Sequence, residues 1–496
     1  MKAAEGQSLN KLNSKRLQLY IHGMTISLHL KVLSKLLTGL FFVLVLSTGL
    51  MAQSVVNIES FSRAIGATVD GEQIQKLYNA RLTTGNIEMV CDSAWRFINR
   101  SEIRAFGNIQ IETPQETIWS DTLYYYNNRD LSLLRGRVII QQDSTTLFGK
   151  KVDYNFFTKV AYFENGIRLE DQNGTLIAQR GTYFQNQDSA IFKGNVQLSD
   201  SAQYAEGDSL FINRRTEYLQ LYDNIFVVDS TNNGTLTGDY LEADSTGRRF
   251  VDGNAYLSRV SADTSDTTHI NATQLLLLEQ DSTSLIRGFK NVKVWSPKFS
   301  SNSDTLLYDS STEIFELISN PIAWHENIQL TGPYISVEMD SNEVQQLRSY
   351  YKTIAVQEDS STGRLHQIKG DTLIADFTDG NLSRIKIYPN SQVLYHTKNE
   401  QGNPDGAVEY SSPTTTMYFK NGDLTRVTAG KNDGYFFEEF AGLADRELDG
   451  FAWNPELRPE RPTEEVTPRF PPVPKERPFE LPRRFLDYLN TLAETE

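Results

Sequence analysis

A short motif recurs along most of this chain: a turn residue, often followed by Asn, then two apolar residues separated by one polar or variable position. It begins at Gly85, Gly107, Gly136, Asn165, Gly194, Asp223, Gly253, Lys290 and Asn320, in steps of 22, 29, 29, 29, 29, 30, 37 and 30 residues. A unit of this size cannot bury its own apolar face. It must stack on its neighbours, which makes a quasi-one-dimensional body.

The apolar pairs are Ile87/Met89, Ile109/Ile111, Val138/Ile140, Ile167/Leu169, Val196/Leu198, Ile225/Val227, Ala255/Leu257, Val292/Val294 and Ile322/Trp324. A spacing of two puts both side chains on one face of a strand. A second alternating run follows in several units, as Leu123/Tyr125, Val152/Tyr154, Leu210/Ile212 and Leu306/Tyr308. A third precedes the next turn, as Ile103/Ala105, Ala161/Phe163, Ala190/Phe192 and Leu219/Leu221. Each unit reads as strand, corner, strand, hairpin, strand, with Gly and Asn where positive φ is needed. Helical periodicity is almost absent from 85 to 430. The expected fold is therefore all-β and elongated, with about ten units of ~29 residues, each adding one or two strand spacings of ~4.8 Å.

A companion signature reads CDSA at 91–94, SDTL at 120–123, GDSL at 207–210, GDYL at 238–241, SDTL at 303–306 and GDTL at 370–373. One carboxylate per unit falls far short of the roughly six to eight oxygens that Ca²⁺ takes. The expectation is that Asp and Ser/Thr bond local backbone at a strand start. The 37-residue step coincides with a polar insertion, RVSADTSDTTHI at 259–270, read as a protruding loop. The pattern weakens after 345 and resumes with Ile354/Val356, GDTL at 370, Val393/Tyr395 and TTTMYF at 414–419.

Leu36 to Met51 is apolar apart from Thr and Ser, follows Lys31 and Lys35, and gives way to polar sequence after Ala52-Gln53. That is the pattern of a secretory signal peptide, with Met24 as the suspected initiator; an uncleaved inner-membrane anchor helix is the alternative. The reading divides the chain into an N-terminal extension and signal peptide (1–52), a lead-in (53–84), the repeats (85–345), a continued or second β region (346–435) and a Pro-rich tail (436–496). Nine of the 16 prolines lie between Pro455 and Pro482. They read as an extended linker ahead of a short amphipathic helix with Phe485, Leu489 and Leu492 on one face.

The formal net charge of −15, with no basic stripe, argues against a nucleic-acid partner. The single cysteine, Cys91, allows no intramolecular disulfide and reads as a small residue on a strand. The six histidines show no metal-ligand spacing, and no nucleophile or phosphate-binding motif appears. The chain is read as a non-enzyme without a cofactor.

GNIQIE…SDTLYYY, GNVQLSD…GDSLFI and GNAYL…INATQL resemble the OstA-type repeats of the LptA family, which includes LptC and the N-terminal domain of LptD. They are also similar to the long OstA-like proteins of Bacteroidetes-type bacteria. The resemblance covers roughly 85–430. It implies a periplasmic protein folded as a V-shaped, open β-jelly roll that shields the acyl chains of lipopolysaccharide. It also implies end-to-end strand pairing with other Lpt-type bridge proteins, or self-association through the same edges. The candidate trough lining is Ile109, Ile111, Val138, Ile140, Ile167, Leu169, Val196, Leu198, Ile225, Val227, Leu257, Val292 and Val294. Arg135, Arg137 and Arg168 are candidates for basic groups at the mouth. The chain is longer than a usual LptA, and no series of lipid-facing strands appears after about 430. Two other readings stand beside this one: a structural or adhesive surface β-solenoid with a closed core, and a β-helix enzyme acting on polysaccharide.

Overall fold

The computed structural model describes residues 56–260, 266–280, 283–340, 343–420, 423–462 and 476–493. The signal-peptide stretch and residues 261–265 of the 259–270 insertion lie outside them; within that insertion Arg259 and Val260 end one strand and Thr267 to Ile270 begin the next. The chain divides into two compact units, Met1–Val56 and Asn57–Glu496. The second holds 31 described strands in one antiparallel sheet. Successive strands pair as hairpins: Leu131–Gln142 with Thr145–Asn155, that with Val160–Asp171, and so on as far as Glu343–Asp359 with Arg364–Thr378. Strands of the 346–435 region hydrogen-bond into the same sheet. Among the described residues no helix is long and apolar enough to cross a membrane.

The repeated Gly-Asn motif is a corner inside a strand rather than a strand start. Gly107 and Asn108 have φ of 77° and 42°, Gly194 and Asn195 81° and 46°, Gly253 and Asn254 74° and 47°. The register skips at each of these points, as between Phe106 and Ile109. Two successive left-handed residues form a bulge that bends the strand. Each 29-residue unit is therefore two bent strands rather than three straight segments. Gly85 belongs to a different feature, the hairpin between Glu72–Thr84 and Ile87–Phe97. The true first corner is Asn79 (φ 48°), which restores the spacing of 29 to Asn108.

The Asp signature is the other half of the same corner. Asn108 Nδ2 donates to Asp92 Oδ2 at 2.8 Å, Asn224 to Asp208 at 2.9 Å, Asn254 to Asp239 at 2.8 Å and Asn390 to Asp371 at 2.8 Å. At 137 an arginine replaces Asn: its backbone N–H donates to Asp121 at 2.9 Å and its Nη2 at 2.8 Å. The carboxylates thus bridge to the following strand, correcting the expectation of local backbone bonds at a strand start. The residue before each Asp is small because it lies inside the bend. A Cβ on Gly238 would stand 2.3 Å from Val251, and one on Gly370 2.3 Å from Ile387.

After the terminal strands, the tail turns back along the outer face of the sheet. Leu443 and Leu448 pack on Leu394 and Ala407. Gln367 donates to the Arg446 carbonyl at 2.9 Å and accepts from the Leu448 N–H at 2.8 Å. Gln329 does the same with the Ala452 carbonyl (2.9 Å) and the Asn454 N–H (2.8 Å). Arg477 pairs with Glu170 at 2.9 Å. The terminal helix, Arg483–Ala493, then sets Phe485 and Tyr488 against Trp119, with ring centroids 4.9 and 5.1 Å away. Trp119, Ile139 and Phe148 form the outer patch that it covers. Of the face expected to be apolar, only Phe485 is buried; Leu489 and Leu492 are exposed. The reason is that the seat is an aromatic cluster, which selects the Phe485/Tyr488 pair.

Tyr351 and Lys352 take φ of 66° and 55° at a corner that has neither Gly nor Asn, and Tyr351 is 74% exposed. A left-handed conformation costs a non-glycine residue about 1–2 kcal/mol. Tyr351→Gly is expected to raise stability by about 1 kcal/mol in urea unfolding. Phe485→Ala is expected to free the helix, with about 3 kcal/mol of packing lost. The readout is faster proteolysis within 476–493, with an unchanged β-sheet circular dichroism spectrum.

Candidate functional site

The corner folds each strand so that its two halves face each other, and each half contributes one apolar ladder. The first wall carries the second residue of most of the predicted pairs. The register runs Ile111, Ile118, Ile140, Leu147, Leu169, Leu176, Leu198, Ala205, Val227, Leu236, Leu257, Ile270, Val294. The opposite wall runs Leu134, Val152, Phe163, Gly181, Phe192, Leu210, Leu221, Leu241, Val251, Leu275. The second and third alternating runs of the sequence supply this wall, so its residues were visible as strands although the lining was assigned to the first wall alone.

Ile109, Ile111, Val138, Ile140, Ile167, Val196, Ile225, Val292 and Val294 are buried to 3% exposure or less, and Leu169 and Leu257 are buried too. Leu198 and Val227 are partly exposed. The difference follows the volume between the walls. Toward the N-terminal end, Tyr125, Tyr154, Phe156 and Tyr183 fill the space, with Tyr154 and Phe156 rings 4.8 Å apart. Farther along, Ala190 and Ala205 take wall positions and a cavity of about 440 Å³ opens, lined also by Leu176, Leu198, Ile212, Leu219 and Val227. A pocket of about 60 Å³ around Val227, Leu236, Leu257, Leu277 and Ile286 comes next. A cavity of about 300 Å³ follows, among Leu257, Ile270, Ile286, Val294, Phe299, Phe315 and Met339. Shared walls make these a single furrow, running from strand Val160–Asp171 to strand Tyr334–Asp340.

Polar side chains tie the walls together where the furrow is closed. Lys159 Nζ donates to the buried Glu116 at 3.2 Å, and Tyr154 bonds the same carboxylate. At the wall of the 440 Å³ cavity, Arg214 reaches Asp171 at 2.9 Å and Thr145 at 2.6 Å. Arg135, Arg137 and Arg168 do not line the cavities: they pair with Asp153, Asp121 and Glu170. Their places in the strand alternate with the inward residues Leu134, Val138 and Ile167, which turns them to the outer side.

Among the described residues no group of three or more His, Cys, Asp or Glu is placed to hold a metal. Cys91 is buried, and burial pushes its thiol up to about 12. His325, His366 and His396 are buried away from the cavities, at 1%, 7% and 2% exposure. Among the described residues the ring nitrogens of His325 and His396 have no hydrogen-bond partner. Burial lowers all three pKa values, that of His366 to about 4 with help from the neighbouring His396.

Residues 56–205 match the family model described as OstA-like protein. This stretch is OstA-like. Among solved structures, the chain is similar to LptH, described as the LptA homologous periplasmic component of the conserved lipopolysaccharide transport device from Pseudomonas aeruginosa. The identity is 13% and the TM-score 0.17, with 28% of this chain and 78% of that one covered. No curated protein matches. The matched stretch contains the closed part of the furrow and most of the lining of the 440 Å³ cavity.

The buried histidines make stability depend on pH. Above about 6.5 they are neutral in both the folded and unfolded states. As pH falls from 6.5 toward about 4, the unfolded chain takes up protons that the folded one refuses. Stability is therefore expected to fall over that window, with His366 alone contributing on the order of 3 kcal/mol. Urea midpoints measured at pH 7.5 and pH 4.5 test this, and His366→Phe is expected to flatten the slope.

Proposed function

We propose that this protein is a periplasmic carrier that shields the acyl chains of lipopolysaccharide in its furrow during transport to the outer membrane. The observation that carries this reading is the chain of cavities between two apolar ladders, with Leu198, Ile212, Leu219 and Val227 left partly exposed inside. Apolar side chains left contiguous and open along a groove mark ligand-binding surfaces on soluble proteins. Acyl chains seated there gain about 25 cal/mol per Å² of apolar area removed from water. OstA-like and LptA-like proteins are transport proteins rather than enzymes.

Open sheet edges support pairing with other bridge proteins or with a second copy. Strand Arg63–Val69 pairs only with Glu72–Thr84, and Asp433–Glu438 only with Pro404–Ser412, among the described residues. Each leaves one row of backbone groups for an added strand.

A photoreactive amino acid at Leu198 or Val227 is expected to crosslink lipopolysaccharide in cells, whereas one at Ile139, beneath the terminal helix, is expected to stay silent. Absence of lipid adducts at every furrow position would overturn the proposal.

A further inference from the structure

Three arginines reach the furrow wall, and they differ in how their charge is met. Arg214 is paired with Asp171 at 2.9 Å. Arg249 is paired with Glu279 at 2.7 Å. Arg259, near the end of strand Arg248–Val260, is exposed, and its hydrogen bond is a single one, from Nη1 to Ser284 Oγ at 3.2 Å. Among the described residues no carboxylate lies within ion-pair distance of it. Its register partners on the adjoining strands are the uncharged Gly234 and Thr268.

The place of this side chain matters as much as its charge. Arg259 lines both the 60 Å³ pocket and the 300 Å³ cavity, so it stands where the two compartments meet. Leu257 and Ile286 flank it in both. Thr268, Ser310 and Glu313 also line the larger cavity, the Glu313 carboxylate standing beyond ion-pair distance of the guanidinium. In a chain of net charge −15, a cation without a salt-bridge partner among the described residues, at the lip of a cavity, is an opening for an anion.

We propose that Arg259 receives the anionic head group, a phosphate or carboxylate, of an amphiphile whose chains lie in the cavities on either side. This rests on the reading of the furrow as a lipid site. The guanidinium offers paired N–H donors that match phosphate or carboxylate oxygens. A head group held there keeps its charge in contact with water, avoiding the penalty of burying it unpaired. Chains can then run one way toward Val227 and the other toward Phe315.

The test uses the full mature protein and displacement of a fluorescent fatty acid. The competitors are phosphorylated lipid A, the same lipid enzymatically dephosphorylated, and inorganic phosphate alone. Arg259→Ala is expected to weaken the phosphorylated lipid about tenfold and to leave the dephosphorylated lipid within about twofold, with Arg259→Lys between wild type and Ala. Inorganic phosphate alone is expected to displace nothing. Equal losses for both lipids, no loss for either, or displacement by phosphate alone would each overturn the assignment of Arg259. If the wild-type protein binds neither lipid, the furrow reading falls and this one with it. If wild type and Arg259→Ala bind both lipids equally well, only the head-group contact falls.

Discussion

The left-handed corner is the constraint on which the rest of the structure depends. An antiparallel sheet of this many strands would be open on both faces if its strands were straight. Residues of positive φ, usually two in succession, bend alternate strands, and the halves of the bent sheet then bury each other's apolar side chains. The bend repeats in register because several corners are tied to the preceding strand through an Asp, as in Asp92 with Asn108 and Asp239 with Asn254. Glycine serves twice at the corner. It accepts the positive φ, and it leaves room for the carboxylate, since a Cβ on Gly136 would stand 2.4 Å from Asp121 Oδ2.

Once the corners fix the separation of the walls, side-chain volume decides what lies between them. Tyrosines and phenylalanine close the N-terminal portion, helped by the buried Glu116 with Lys159 and Tyr154. Alanines at 190 and 205 open the next portion. One backbone plan thus yields a solid core at one point and a furrow at another, with no change in strand pairing.

Much of this was legible in the sequence because corners demand unusual residues. Gly and Asn mark positions of positive φ, so their spacing of 29 exposed the period and the inward apolar pairs. Tyr351 and Lys352 adopt the same conformation without the marker residues, and there the pattern disappeared. Gly85 misled in the opposite sense, because a hairpin and a corner both favour glycine. The role of the Asp series was hidden because its partner lies 15 to 19 residues away on the next strand, a tertiary relation that local reading does not reach. The course of the tail was equally hidden. Gln329 and Gln367 bind it through its backbone, and a backbone contact leaves little trace in the residues bound.

The path of that tail orders events during folding. Hairpins of adjacent strands can form as the chain emerges, since their contacts are local. The tail closes contacts across great sequence distance: Arg477 and Glu170 are 307 residues apart. It is synthesised after the strands it covers, and its seat at Trp119 lies near the beginning of the sheet. Docking of the helix therefore follows formation of the strands between. A chain truncated before 476 leaves Trp119, Ile139 and Phe148 without their cover, an apolar flag of the kind that proteases and chaperones recognise.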